Sequence, residues 1–170
     1  YENFCVLCAV RHGKRGVAGI NDILTQKLRS KLSGQESAHS PWYHGRPVMV
    51  TENDYSLGVF NGDIGIALKG NDGIMNVWFA ARSGDVRPIM PSSLPAHQTA
   101  FAMTVHKSQG SEFNQVAFVL PAKDSPVLTR ELVYTAVTRA KQKLSVYGNM
   151  EILRMAVKRP TLRRSGLAEK

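Results

Sequence analysis

The apolar run from Phe4 to Val10 constrains the fold of this chain more than any other segment. Its residues do not alternate between apolar and polar, which is typical of a strand covered on both faces in a parallel sheet. A loop with Gly13 and Gly16 follows, and apolar residues then recur at helical spacing until a predicted helix end near Gly34. This order of strand, loop and helix predicts an α/β domain with a parallel sheet.

Residues 41–95 show a different pattern, with short strands separated by tight turns. Asn61 and Gly62 stand between apolar residues, which predicts a two-residue hairpin turn with positive φ at both positions. Further turns are predicted at Gly70–Gly73 and Ser83–Asp85, so that about five antiparallel strands form a meander. We expect the meander to close as a small barrel, because closure removes exposed strand edges.

The alternation of strands and helices returns after Pro95. The pattern predicts strands at Ala100–Val105, Val116–Leu120 and Leu144–Tyr147, and helices at Arg130–Ala140 and Met150–Val157. The predicted fold class is therefore α/β, with a parallel-sheet domain built from residues 1–40 and 96–170. The antiparallel β barrel of residues 41–95 is inserted into that domain.

The net charge of +9 is unevenly distributed along the 170 residues. Residues 1–40 carry six basic and three acidic side chains, and residues 123–170 carry eleven basic and four acidic ones. Residues 41–98 carry four basic and five acidic side chains. A polyanion bound outside the middle third and a merely solvated basic face both fit this distribution, and charge alone does not separate them.

The composition, 43% hydrophobic and 21% charged, is typical of a folded globular chain and excludes an intrinsically disordered one. The longest stretch without a charged residue, Pro88–His106, is interrupted by prolines, so we predict no membrane partner. The chain opens with Tyr1 and no basic and apolar leader follows. We therefore expect it to be part of a longer protein.

The two cysteines, Cys5 and Cys8, lie in the first predicted strand, where their spacing places them on opposite faces. They are therefore badly placed to share a metal ion or to form a disulfide. A zinc site would also need a second pair of ligands at suitable spacing, which the sequence lacks. We predict core cysteines in a reducing cytoplasm, and no metal site in this chain.

The sequence contains no Gly-x-x-x-x-Gly-Lys-Ser/Thr loop, because Cys8 stands where the first glycine should be and Arg15 follows Lys14. No apolar strand ends in Asp-Glu either. A chain of this kind can supply only part of a nucleoside triphosphate site. Two segments carry residues that could form part of a nucleoside triphosphate site, Thr104–Phe113 and Val133–Lys141.

The first of these segments, Thr104–Phe113, follows a predicted buried strand and should lie at an edge of the sheet. Gly110 permits close approach of a phosphate or a sugar to the backbone, and Glu112 can accept a hydrogen bond from a ribose hydroxyl. Hydroxyl, imidazole and ammonium groups can hold a phosphate backbone. The candidates for that role are Thr104, His106, Lys107 and Ser108. An ordinary surface loop is the alternative interpretation.

The second segment, Val133–Lys141, is predicted to carry Arg139 on a helix. A guanidinium group offers the planar pair of donors that a transferring phosphoryl group needs in its transition state. A salt bridge at the end of a helix is the alternative interpretation of Arg139.

A serine hydrolase is a rival from another class, because His106–Gly110 is similar to the Gly-x-Ser-x-Gly nucleophile elbow. His106 replaces the first glycine of that motif, which permits the strained turn. No histidine follows His106 along the chain to complete a triad in the order that this fold requires. The fit to the motif therefore disfavours a hydrolase.

The two segments together resemble a known family. Thr104–Phe113 resembles motif V and Val133–Lys141 resembles motif VI of superfamily-1 helicases, in the right order and each beside its expected strand. Cys5–Asn21 is similar to the start of the second motor domain in the 5′→3′ branch of that superfamily. Residues 44–65 are similar to the SH3-like barrel of the same branch.

Within this branch the chain resembles the RecD family, the alpha subunits of bacterial exodeoxyribonuclease V. Ser40–Pro47, Leu57–Asp63 and Arg163–Leu167 carry the similarity, which covers nearly the whole chain. The Walker motifs of the first motor domain are missing, so we expect a C-terminal part of a helicase that acts in double-strand break repair and recombination. A stand-alone RecD-like helicase, a conjugative relaxase-type helicase and a non-catalytic module that binds DNA or protein remain alternatives.

The resemblance implies a RecA-like motor domain interrupted by an SH3-like barrel. It also implies ATP with Mg²⁺ at a first motor domain that holds the metal. The implied site residues are Arg139 as the catalytic group at the γ-phosphate, Gly110 and Glu112 beside the nucleotide, and Thr104, His106, Lys107 and Ser108 on the DNA. The implied partners are single-stranded DNA, the first motor domain and the RecB and RecC subunits, in the cytoplasm.

The isolated 170-residue chain is expected to show no DNA-stimulated ATP hydrolysis, because it lacks the phosphate-binding lysine and the magnesium-holding acid. A steady-state phosphate-release assay with purified chain and single-stranded DNA measures this. Turnover above the buffer rate would show that the chain holds a complete site and would contradict the shared-site hypothesis.

Overall fold

The computed structural model describes residues 3–32, 40–80 and 84–161 of the chain. Contacts divide the chain into two compact units, residues 1–19 with 102–170 and residues 20–101. We call them the parallel unit and the antiparallel unit, after the sheets that they contain. The features predicted from sequence at Gly34, Ser83 and Arg163–Leu167 lie outside the described residues.

The elements follow one another in the order strand, helix, five antiparallel strands, two strands, a helix, a strand and a final helix. In chain order they are β1 (Phe4–Cys8), α1 (Val17–Lys31), β2 (Arg46–Val50), β3 (Ile64–Lys69), β4 (Met75–Ala80), β5 (Val86–Ile89), β6 (His97–Thr99), β7 (Ala102–Thr104), β8 (Phe113–Val119), α2 (Arg130–Val137), β9 (Ala140–Tyr147) and α3 (Met150–Lys158). Short 3₁₀ turns lie at Pro91–Ser93 and Val105–Ser108.

The parallel unit is built on a four-stranded sheet with the strand order β7-β1-β8-β9, in which every pair is parallel. β1 lies in the interior of the sheet, with Leu7 beside Met103 of β7 and beside Phe118 of β8. These three side chains are at most 2% exposed. The predicted α/β class and the parallel sheet are therefore confirmed.

Cys5 and Cys8 are both buried in this sheet, which confirms the predicted core cysteines. Burial raises the pKa of the Cys8 thiol to about 12, because an apolar surrounding disfavours the charged thiolate. Cys8 is therefore a small core residue and is unreactive at neutral pH.

The strand predicted at Ala100–Val105 is present as the shorter β7, and the sequence missed β6, which precedes it. β6 pairs with β2 in the antiparallel sheet, with Thr99 opposite Val48. β7 pairs with β1 in the parallel sheet and ends at Thr104, where the 3₁₀ turn begins. Periodicity gave no sign of β6, because His97, Gln98 and Thr99 are polar.

The helices begin where side chains cap them, and α2 ends earlier than predicted. The Thr129 hydroxyl accepts from the Leu132 N–H at 3.4 Å, and the Asn149 side-chain oxygen Oδ1 accepts from the Glu151 N–H at 2.8 Å. α2 ends at Val137 because the chain then joins the sheet, where β9 already begins at Ala140. Arg139 therefore lies in the turn between α2 and β9, and the prediction that it lies on a helix was wrong.

The antiparallel unit contains a five-stranded sheet with the order β5-β4-β3-β2-β6, which confirms the predicted meander. Its last strand, β6, lies beyond Pro95. Buried side chains form the core of this sheet: Val48, Val50, Val59, Ala67, Val77, Phe79 and Ile89. Within the described residues β5 and β6 are the outer strands and do not pair with each other, so closure as a barrel stays a prediction.

The turn at Asn61 and Gly62 is present but has a different form from the one predicted. The Asp63 N–H donates to the Phe60 carbonyl at 2.9 Å, and Gly62 has a φ of +102°. Asn61 has no positive φ, so the turn is not the primed type expected from sequence. Only the second turn position requires a glycine.

Replacing Gly62 with Val is expected to destabilise the chain by about 1–3 kcal/mol, because a β-branched residue is strained at positive φ. A Cβ at this position would meet no atom within 4 Å, so the loss comes from the backbone and not from a clash. Thermal unfolding followed by circular dichroism measures the effect. Asn61→Ala is the control, and equal melting temperatures for the wild type and Gly62→Val would contradict the account.

Candidate functional site

The carboxyl ends of three neighbouring parallel strands meet at one edge of the parallel sheet, where ligands bind in open α/β sheets. A cleft of about 490 Å³ lies there. We call it the edge cleft. It is lined by Ala9, Val10, Arg11, His12, Thr104, His106, Lys107, Ser125 and Val127, which follow or end β1, β7 and β8.

A second cavity of about 420 Å³ lies on the α2 side of the same turn, and we call it the side cavity. It is lined by Val105, His106, Gln109, Pro126, Val127, Thr129, Glu131, Leu132, Thr135 and Thr161. His106 and Val127 line both cavities. The segment predicted as a phosphate-binding loop thus stands between two cavities of ligand size.

The four residues predicted to contact DNA differ in how far the 3₁₀ turn at Val105–Ser108 exposes them. His106 is exposed and Lys107 is half-buried, and both line the edge cleft together with Thr104. Thr104 is 9% exposed, so it can offer little of its surface. Ser108 is fully buried and its hydroxyl donates to the Val105 carbonyl at 2.8 Å, which closes the 3₁₀ turn.

Gly110 and Glu112 follow the turn on the exposed side. Gly110 has a φ of +84° and a Cβ there would meet no atom within 4 Å, so its backbone is open to an approaching group. The Glu112 carboxylate lies 3.7 Å from the Lys141 ammonium, with both side chains more than half exposed. A pair this exposed contributes little to stability.

Arg139 joins the two predicted segments. Its Nη1 donates to the Ser111 carbonyl at 3.0 Å, its Nε to the Thr135 carbonyl at 3.3 Å and its Nη2 to the Thr138 hydroxyl at 3.3 Å. The Arg139 carbonyl in turn accepts from the Phe113 N–H at 2.8 Å. The guanidinium group is thereby held beside the loop that carries Gly110, with two N–H donors that have no partner among the described residues.

Sequence reasoning missed two groups of residues at this edge. Arg11 and His12 line the edge cleft from the loop after β1, and only the local excess of positive charge pointed to them. Ser125 and Val127 line the cleft from the loop after β8. Their side chains do not indicate a binding site in the sequence. The order of the strands in the sheet brings this loop to the edge.

The C-terminal end of α3 fixes that second loop. Arg159 forms an ion pair with Asp124 at 2.6 Å and donates to the Ser125 carbonyl at 2.8 Å. Hydrogen bonds from Arg159 hold the pKa of the Asp124 carboxyl below its ordinary value. The Arg159 contacts therefore position one wall of the edge cleft.

Glu131 is held in a similar way at the side cavity. Its carboxylate accepts from the Thr161 hydroxyl at 2.6 Å and from the Thr161 N–H at 2.8 Å. The hydroxyl bond is the largest cause that lowers the pKa of Glu131 to about 2, from an ordinary value of 4.5. The carboxylate is therefore charged at neutral pH, and its Oε2 atom already accepts hydrogen bonds from Thr161.

No helix among the described residues has the length and apolar character needed to cross a membrane. Nor do those residues bring together three or more His, Cys, Asp or Glu side chains that could bind a metal ion.

Comparison with known proteins finds similarity to helicases. The UvrD-like helicase C-terminal domain family matches residues 99–147, which include both predicted segments. The chain is 40% identical to the RecBCD enzyme subunit RecD of Haemophilus influenzae over 163 residues, 96% of this chain and 24% of that protein. It is 34% identical to the ATP-dependent RecD2 DNA helicase of Deinococcus radiodurans over 91% of this chain and 21% of that protein.

The chain thus spans about a quarter of the length of the relatives that it matches, and it is similar to the C-terminal part of RecD. Among solved structures, a Pif1 helicase from Bacteroides in complex with ADP-AlF3 and single-stranded DNA has a TM-score of 0.55 at 18% identity. The match covers 85% of this chain and 40% of that one. This likeness shows a helicase-like fold.

Glu131→Gln is expected to lower the melting temperature above pH 5, because it removes a carboxylate that Thr161 stabilises in the folded state. The pKa of Glu131 is lowered to about 2, so its contribution is present above 4.5 and is lost as the pH falls towards 2. The difference between wild type and variant should therefore close over that range.

Circular dichroism melts of both proteins from pH 7 to pH 2.5 measure this difference. Thr161→Val should produce a smaller pH-dependent loss, because it removes the hydroxyl donor and leaves the Thr161 N–H donor in place. A difference between wild type and Glu131→Gln that stays constant with pH would contradict the assignment.

Proposed function

We propose that this chain is the C-terminal part of an ATP-dependent 5′→3′ DNA helicase of the RecD type. In this proposal it supplies motifs V and VI to the ATP and single-stranded DNA sites of an enzyme of double-strand break repair. The observation that carries the proposal is the bond from Arg139 to the Ser111 carbonyl, which joins the two motif-like segments at one place. The similarity to RecD subunits supports the same function.

Arg139 is the proposed catalytic residue. The carbonyls of Ser111 and Thr135 and the hydroxyl of Thr138 orient its guanidinium group, and two N–H donors remain for a ligand. Fixed donors of this kind stabilise charge that develops on a transferring phosphoryl group without reorganising during the reaction. Arg139 would therefore act mainly on the transition state and weakly on ground-state binding.

The residues beside Arg139 fit a nucleotide. The open backbone at Gly110 permits close approach, and Glu112 is an exposed acceptor within the same loop. ATP supplies the γ-phosphate whose hydrolysis drives the motor. We assign the Mg²⁺ to the first motor domain of the same helicase, since the described residues offer it no ligand cluster. This chain then contributes donors that balance charge on the phosphates.

The DNA side of the proposal rests on the edge cleft. His106 and Lys107 present an imidazole and an ammonium group to it, which suits contact with a phosphate backbone. Thr104 also lines it, with little exposed surface. For Ser108 we propose that the hydroxyl shapes the turn, since it is buried and bonded to Val105, and that contact with DNA falls to its neighbours.

In this proposal residues 1–40 and 96–170 form the second RecA-like motor domain, and residues 41–95 form an SH3-like barrel inserted in it. The five-stranded antiparallel sheet supports the second assignment. The first motor domain and the RecB and RecC subunits are the proposed protein partners, in the cytoplasm. The name of the Haemophilus influenzae relative supports membership of such a complex.

A stand-alone helicase is the second candidate, favoured by the similarity to the Deinococcus radiodurans RecD2 helicase. The identity to the RecBCD subunit is higher, 40% against 34%. Co-purification of the whole helicase with nuclease subunits from its own cells separates the two candidates.

Arg139→Ala in the complete helicase is expected to leave ATP and DNA binding within a few-fold, while ATP turnover falls on the order of 10³-fold. Arg139→Lys should restore little, because an ammonium group lacks the planar fork of donors. Steady-state ATPase rates and equilibrium binding on the same preparations measure both effects.

Arg154→Ala, which removes an exposed arginine outside both segments, is the control and should keep normal turnover. Melting temperatures must be recorded on every variant. An Arg139→Ala protein that is destabilised but turns over ATP at the normal rate would show that Arg139 only braces the Ser111 loop. That result would remove it from the mechanism.

A further inference from the structure

We propose that Arg11, on the loop after β1, is a DNA-contact residue that seats a backbone phosphate of single-stranded DNA in the edge cleft together with Lys107. The proposal rests on the proposed function and extends it to an element outside both helicase-like segments. The seat would use one guanidinium group from the end of β1 and one ammonium group from the end of β7, which are neighbouring parallel strands.

The loop that carries Arg11 is held by its backbone. The Val17 N–H donates to the Val10 carbonyl at 3.1 Å and the Ala18 N–H donates to the Arg11 carbonyl at 3.0 Å. Gly16 packs so closely that a Cβ there would lie 2.4 Å from the His12 carbonyl oxygen. The side chain of Arg11 takes no part in these contacts, so it can be changed without disturbing the loop.

The charges in the edge cleft are unbalanced. Arg11 and Lys107 line it together, and neither has a carboxylate partner within 4 Å among the described residues. The cleft lining contains no acidic side chain, and His12 and His106 add two further nitrogen donors. Burial, and then the charge of Arg11, lower the pKa of Lys107. Two like charges brought together without a counterion are relieved by a bound anion.

The anion is a phosphate, which a guanidinium group binds with two parallel donors. A nucleotide and a DNA backbone both offer phosphates, and the lining of the cleft favours DNA. Gly110, Glu112 and Arg139, which face the proposed nucleotide, are not among the residues that line the edge cleft. Ser125 and Val127 form the remaining part of the lining, and their side chains offer few groups that could distinguish one base from another. Such a lining suits contact with the DNA backbone regardless of base sequence.

The test measures how the affinity of the complete helicase for a fluorescent oligo-dT depends on salt, between about 50 and 200 mM. For single-stranded DNA, the loss of one phosphate contact makes the plot of log binding constant against log salt concentration less steep, by about 0.7 in the magnitude of its slope. Arg11→Gln should show that reduction, and Arg11→Lys should keep most of the wild-type slope. Arg15→Gln is the matched control, because it removes the same charge from the same loop outside the cleft lining.

Each outcome has a definite meaning. An unchanged slope for Arg11→Gln would overturn the proposal, because it would show that Arg11 makes no phosphate contact. An equal reduction for Arg15→Gln would also overturn it, because the effect would then come from the loss of any positive charge in the loop. A higher KM for ATP with an unchanged DNA slope would assign the phosphate to the nucleotide and also overturn it. A wild-type helicase that binds no single-stranded DNA would instead refute the proposed function.

Discussion

The pairing of β1 with both β7 and β8 is the interaction on which the rest of the structure depends. Val6 lies opposite Ala102 on one side and opposite Ala117 on the other, so a strand from the start of the chain is fixed between two strands from its second half. All three strands are parallel, and their carboxyl ends must therefore meet at one edge. The loops after these strands carry the positive and hydroxyl-bearing side chains of the candidate site for this reason. Their approach is a consequence of sheet topology and not of attraction between them.

A second constraint joins the edge to the end of α2. The Phe113 N–H donates to the Arg139 carbonyl at 2.8 Å, so the pairing of β8 with β9 begins at these residues. Ending α2 at Val137 allows this pairing, and it also turns the Arg139 side chain towards the Ser111 carbonyl. Local helix propensity alone favours a longer helix, and the sheet outweighs it.

Much of the fold could be predicted from sequence because periodicity reports burial directly. The apolar runs at Phe4–Val10, Val116–Leu120 and Leu144–Tyr147 and the turns around Gly62 and Gly73 located most of the strands in both sheets. Periodicity could not show the polar strand β6, nor which positions of a turn carry positive φ. For the site, the motif-like segments identified Arg139 and the turn with His106. Sequence reasoning did not identify Arg11, because its proposed role depends on which strands are neighbours in the sheet. No local sequence pattern shows that order.

The central claim is that Arg139, held at the Ser111 loop, reaches the transferring phosphoryl group of ATP in the complete helicase. A crystal structure of that helicase with ADP, aluminium fluoride, Mg²⁺ and single-stranded DNA tests it most directly, because the aluminium fluoride group mimics the phosphoryl group in its transition state. The account predicts a guanidinium nitrogen of Arg139 within about 3 Å of a fluoride atom. A guanidinium group that stays bonded only to protein oxygens, with the fluoride contacted by other side chains, would contradict it.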